Sequence, residues 1–223
     1  MLRYRSTILC FCIIALSLTT GCKSAYYSTW EKLGWAKRDI LVDRVKDARD
    51  DQEAAKKQFQ TTLDQFKAVT GFNGGDLEAK YKKLNSAYEA SEKRATDVRD
   101  QIKSVESVAN DMFKEWNAEL SQYQSADLRR SSEQKLNQTK DRYNQLIGVM
   151  KQASTKMDPV LAAFHDQVLY LKHNLNAEAI SSLQQTATGI NTDVENLIKD
   201  MNASIAEANS FINDMNKASA SKT

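Results

Sequence analysis

Few residues in this chain have both the type and the spacing to do chemistry. Cys22 stands in "SLTTGCKSAYYSTW" (residues 17–30), while Cys10 and Cys12 fall inside the apolar run before it. A thiol without a partner cannot build a disulfide framework, so its chemistry is that of a nucleophile or of a modification site. His165 and His173 are the two histidines. Eight residues on one helix place them about 12 Å apart along the axis, too far to share a metal ion. A di-iron bundle needs Glu three residues before each histidine, and Ala162 and Tyr170 stand there. Asp39, Asp43, Asp47 and Asp51 recur every four residues, but Arg44, Lys46 and Arg49 interleave them and no loop wraps a cation. "GFNGG" (71–75) lacks both a preceding strand and a following Lys-Ser/Thr, so it is no phosphate loop. The expectation is a chain with no catalytic residues, no metal site and no cofactor, and so not an enzyme.

The N-terminus accounts for Cys22 differently. Arg3 and Arg5 form a basic start, Thr7–Leu18 is an apolar run, and "TTG" supplies small residues before the cysteine. About 20 residues are needed to span a bilayer as a helix, so this run is too short for that and reads as a signal peptide over residues 1–21. Gly21-Cys22 resembles the lipobox of bacterial lipoproteins, in which the cysteine is acylated and becomes the first mature residue. Thr19 occupies the position where that pattern has Leu. The alternative is an ordinary secreted chain with Cys22 as a free thiol. Lys23, not Asp, follows the cysteine; by resemblance to the Gram-negative sorting rule this implies the periplasmic face of the outer membrane.

Removal of the signal also removes Arg3 and Arg5, so the 31 basic residues fall to 29 and balance the 29 acidic ones. A neutral chain lacks the basic face that nucleic-acid binding requires. Tyr26, Tyr27, Trp30 and Trp35 follow Cys22 closely, beside Lys32, Lys37 and Arg38, with no Gly/Ser tether between. Such rings favour a membrane interface, where one end is apolar and the other wet. They are candidate membrane-docking residues; the alternative is that Trp30 and Trp35 close the membrane end of a hydrophobic core.

What positions these groups is helix. The mature part, 22–223, holds a single proline, Pro159, and few glycines. Seven-residue spacing recurs throughout. Tyr81, Tyr88, Ala95, Ile102, Ala109, Trp116 and Tyr123 form one series, and Leu77, Leu84, Ser91, Val98, Val105, Met112 and Glu119 its companion. A weaker first seam holds Val45, Gln52, Phe59 and Phe66 with Ala48, Ala55, Thr62 and Val69. Leu136, Tyr143, Met150, Met157, Phe164 and Leu171 make a third. A fourth runs through Leu183, Ile190, Leu197, Ser204 and Phe211 with Ala187, Val194, Met201, Ala208 and Met215.

Turns are expected at 71–76, with Gly71 at the helix C′ position and Asp76 as a cap, at 124–128, with Ser125 or Asp127 as cap, and at 173–178, with Asn176 as cap. Pro159 reads as a kink inside a helix, because the third seam keeps its phase across it. Short turns make neighbours antiparallel. The fold class is therefore all-α, an elongated antiparallel coiled-coil bundle of four long helices in a single domain, with a frayed tail from about residue 217. The alternative has three helices, the last running unbroken past Leu175.

The stretches "GCKSAYYSTWEKLGWAKRDILVDRV" (21–45), "GGDLEAKYKKLN" (74–85), "SADLRR" (125–130) and "DPVLAAFHDQVLYLKHNLNAEAI" (158–180) resemble a family of bacterial lipoproteins named only as a domain of unknown function, DUF2959. The resemblance implies a lipoprotein and brings no reaction, cofactor or partner. The functional expectation is a lipid-anchored envelope scaffold that meets a protein partner through its helical surface. The alternative is a periplasmic carrier or chaperone for apolar cargo, favoured by Met112, Met150, Met157, Met201 and Met215 on the seams. Oligomeric state stays open, because the four seams can satisfy one another within one chain.

Overall fold

The computed structural model describes residues 37–220, with side chains to Lys217. The signal segment 1–21, Cys22, Tyr26, Tyr27, Trp30 and Trp35 lie outside the described residues. The chain divides into two units, 1–40 and 41–223. Of the first, only the opening turn of a helix is described; the second is a helical bundle.

Four helices make up the described chain: α1 (Lys37–Thr70), α2 (Leu77–Glu119), α3 (Ala126–His173) and α4 (Ala177–Ala220). A short 3-10 turn, Leu120–Gln122, follows α2. Among the described residues there is no strand. Two of the starts carry the caps expected from sequence: Asp76 accepts from the Ala79 N–H at 2.9 Å and Ser125 from the Leu128 N–H at 3.3 Å. Pro159 lies inside α3, which runs on through it. Helix α4 stays helical to Ala220, into the stretch expected to fray.

The break after His173 decides between three helices and four. Asn174 donates its side-chain amide back to the Tyr170 carbonyl at 2.9 Å, and Asn176 accepts from the Ala179 N–H at 2.9 Å. Two asparagines thus serve the orphan groups of both helix ends, and the third and fourth seams change phase here. The four-helix reading holds.

The first turn departs from expectation in one detail. Gly71 is not left-handed: its N–H donates to the Lys67 carbonyl at 2.9 Å, continuing the helical pattern, and the Phe72 N–H donates to the Val69 carbonyl at 3.0 Å. The chain reverses at Gly74 (φ 138°) and Gly75 (φ 103°) instead, where a side chain would be strained.

Cross-helix bonds set the register. Arg99 of α2 pairs with Asp158 of α3, and Glu106 with Lys151; Trp116 Nε1 donates to Ser132 Oγ at 2.9 Å. Between α3 and α4, Arg142 pairs with Asp214, Gln145 donates to Glu207 at 3.0 Å and Lys156 pairs with Asp200. Between α4 and α1, Arg49 Nη1 donates to Asn209 at 3.1 Å and Lys56 Nζ to Asn202 at 3.0 Å. In each of these three pairs numbers rise on one helix as they fall on the other, so the neighbours are antiparallel. Helices α1 and α2, joined by the short turn, close the ring. Phe66 and Phe164, on the diagonal pair α1 and α3, meet edge to face with centroids 6.2 Å apart.

The heptads are the core. All eight residues of the α1 seam are buried, as are all six of α3. In α2 the buried stretch runs from Leu84 to Met112; Trp116 is half-buried, and Tyr123 and Glu119 are exposed. The α4 seam is buried except for Ala187. Ala87, Val108 and Phe113 on α2 and Leu146, Ala153 and Val160 on α3 are buried too, widening each stripe beyond a two-stranded seam. Each large apolar side chain so buried contributes roughly 1.5–3 kcal/mol. Exposed ion pairs such as Lys93–Asp97 or Lys46–Asp43 contribute about 1 kcal/mol or less. Packing, not surface charge, therefore holds the bundle.

Candidate functional site

Polar side chains of two neighbouring helices converge on an outer groove between α2 and α3. It encloses about 460 Å³ and is lined by Tyr88, Glu92, Thr96 and Arg99 from α2 and by Asp158, Ala162, His165 and Asp166 from α3, among others. Residues four and three or four apart project from one helix face, so each set forms a strip. The antiparallel register lays the two strips side by side.

Tyr88 sits on the α2 seam, a residue only 7% exposed, and the His165 ring tilts against its ring with centroids 5.8 Å apart. Burial pushes the Tyr88 phenol well above its usual range, and the hydrogen bond it donates to Glu92 pushes the same way. The phenol therefore stays neutral well into the alkaline range. His165 Nδ1 lies 3.7 Å from the Asp166 carboxylate, and the His165 side chain is half-exposed. Arg99 and Asp158 form an ion pair at the far end. The arrangement offers a half-exposed imidazole backed by a buried tyrosine ring, carboxylates and a paired guanidinium: chemistry for recognition by hydrogen bonds and charge.

A second, shallower depression of about 490 Å³ lies between α1 and α2, lined by Gln58, Thr61, Gln65, Lys82, Lys83 and Ser86 among others. It faces outward with two lysines and no aromatic ring.

The histidines are not brought together: His165 lines the groove and His173 ends α3, exposed. Among the described residues no group of three His, Cys, Asp or Glu side chains is placed to hold a metal. Two of the four stacked aspartates are neutralised locally, Asp43 by Lys46 at 2.9 Å and Asp47 by Arg44 at 3.2 Å. No described helix is long and apolar enough to cross a membrane. Cys22 and the aromatics Tyr26, Tyr27, Trp30 and Trp35 fall outside the described residues.

The sequence marks Tyr88 as a seam residue and His165 as a histidine too far from His173 to share a metal; nothing local ties either to Asp158 or to the other. The four-residue spacing Tyr88-Glu92-Thr96, continued by Arg99, is the signal that could have marked the α2 strip. Its pairing with α3 needs the register.

No curated protein and no solved structure matches the chain. A family profile described as "Protein of unknown function (DUF2959)" matches residues 26–215. That match takes in all four helices save the last residues of α4, and by it the chain belongs to the DUF2959 family.

Proposed function

We propose that this protein is a bacterial envelope scaffold, held to the outer membrane by lipid on Cys22, and that its α2–α3 groove is the face that meets a protein partner. The lipid anchor rests on the signal and Gly21-Cys22. The observation that carries the partner face is the contrast between interior and groove. The interior is occupied by large apolar side chains: Phe59, Phe66, Phe164 and Phe211 and the seam methionines are all buried. The groove gathers Tyr88, Glu92, Arg99, Asp158 and His165 on an outer face. A carrier of apolar cargo would have to displace that packed core, whereas a scaffold leaves it intact.

The test is site-specific photo-crosslinking in intact cells. A benzophenone residue replaces exposed Ala162 in the groove, or Lys57 on the outside of α1 as control. The scaffold reading expects a discrete protein adduct from position 162 and none from 57, together with palmitate labelling that Cys22→Ser abolishes. Lipid or small-molecule adducts in place of protein would favour the carrier. Failure to label Cys22 would remove the anchor.

A further inference from the structure

The core contains two side chains whose polar atoms have no hydrogen-bond partner within the protein. Gln52 on α1 is 1% exposed, and neither its amide oxygen nor its amide nitrogen is bonded. Ser204 on α4 is fully buried and its hydroxyl is likewise unbonded. These two lie at one level of the bundle. The α4–α1 rungs are Arg49 to Asn209 and Lys56 to Asn202, and Gln52 and Ser204 each fall between them. Val45, Ala48, Ala208 and Phe211 close the level on one side, and Ala55, Phe59, Leu197 and Met201 on the other, all buried.

Ser204 has a local outlet that it does not use. Thr61, Thr62, Thr96, Thr139, Thr155 and Thr192 each donate their hydroxyl to the carbonyl four residues earlier. Ser204 does not, and its buried hydroxyl is left unbonded between the same two α4–α1 rungs that bracket Gln52. Buried polar groups in folded proteins are almost always bonded, to protein or to ordered water. An internal water needs two to four polar partners, and the two seam side chains of this level offer three atoms, Gln52 Oε1, Gln52 Nε2 and Ser204 Oγ, with the unbonded Glu207 Oε1 between the same rungs on α4.

We propose that the Gln52–Ser204 level is an internal hydration site, where water bridges α1 and α4 inside an otherwise apolar core. The water accepts from the Gln52 amide N–H and donates to its carbonyl oxygen or to Ser204. The α1–α4 seam is thereby joined by a solvent molecule at a point where the rest of it is joined by packing.

The full chain, labelled with 15N and held in detergent, provides the test by water–protein cross-relaxation. The Gln52 side-chain amide is assigned by its loss in Gln52→Leu. The expected result is a cross-peak from that amide to water, with the sign that belongs to water tumbling with the protein. Because the Ser204 hydroxyl also exchanges with solvent, the amide's contacts to the Ser204 β-protons decide between a bridging water and a direct pair. A water peak without strong amide contacts to those β-protons supports bound water. Strong contacts to the β-protons, or no water peak at all, would overturn the site in favour of a dry side-chain pair.

Discussion

Two polar levels interrupt the apolar core about ten residues apart along α1, and they are built differently. At the first, Thr62 of α1 meets Ser91 of α2: their hydroxyls are 2.8 Å apart, and Thr62 Oγ1 lies 2.9 Å from the Ala87 carbonyl and 3.0 Å from that of Gln58. A hydroxyl has one proton and two lone pairs. Thr62 donates to a carbonyl and accepts from Ser91, and the account closes within the protein. Gln58 Nε2 adds a bond to the Ala87 carbonyl at 3.0 Å. At the second level, Gln52 and Ser204 are as deeply buried and find no such partners. The lesson is that a polar residue on a heptad seam has no fixed energetic sign. What stands opposite decides whether it ties two helices together or loosens them.

The largest expected effect comes from breaking the satisfied level. Thr62→Val keeps the shape and removes the hydroxyl, leaving Ser91 without its cross-helix partner. Stability should fall by roughly 1–3 kcal/mol in denaturant titrations, and Thr62→Val with Ser91→Ala should recover part of the loss. An unchanged midpoint would mean that the Thr62–Ser91 pair ties nothing.

The opposite sign is expected at the other level. Gln52→Leu replaces an amide that lacks protein partners with an apolar side chain of similar size. Stability should rise by about 1 kcal/mol, the gain being reduced by the loss of any bridging water. A fall would show that the water-bridged amide contributes as much as the direct Thr62–Ser91 bond, and the contrast between the two levels would collapse.

The smallest difference is expected from pH, because neither level carries a charge. The alkaline response belongs to the tyrosines on the seams. Burial pushes the Tyr143 phenol from 10.0 up to about 12, with Glu106 adding to the shift, and Tyr88 moves in the same direction. A raised folded pKa for a phenol means that the neutral form is favoured on folding. That stability is complete below pH 10 and is lost as pH rises from 10 towards 12. Wild type, Thr62→Val and Gln52→Leu should therefore lose stability in parallel over this window, with their differences preserved. Divergence of the three curves would place an ionising group at one of the levels.

Much of the architecture was legible before any coordinates. The seam of α1, the least regular of the four by composition, is buried at every position, Gln52 and Thr62 included, because seven-residue spacing assigns an inner face whatever the side chain. Asp76, Ser125 and Asn176 cap where their side-chain chemistry suggests. Gly71 misled, since a glycine after a helix permits a left-handed cap without requiring one, and Gly74 and Gly75 supply the reversal. The groove was not legible at all: Tyr88 and His165 are 77 residues apart and meet only because α2 and α3 are antiparallel in one particular register.

The sequence by itself determined that the chain forms long helices, which face of each is buried and where the chain turns. Those follow from breaker content, seven-residue spacing and capping side chains, all of them local properties. Only the tertiary structure decided which helices are neighbours, and with that the fate of each polar seam residue. Hydrogen bonds reach about 3 Å, so a shift of one helical turn between helices separates a Thr62–Ser91 pair bonded within the protein from a Gln52–Ser204 level with no protein partner.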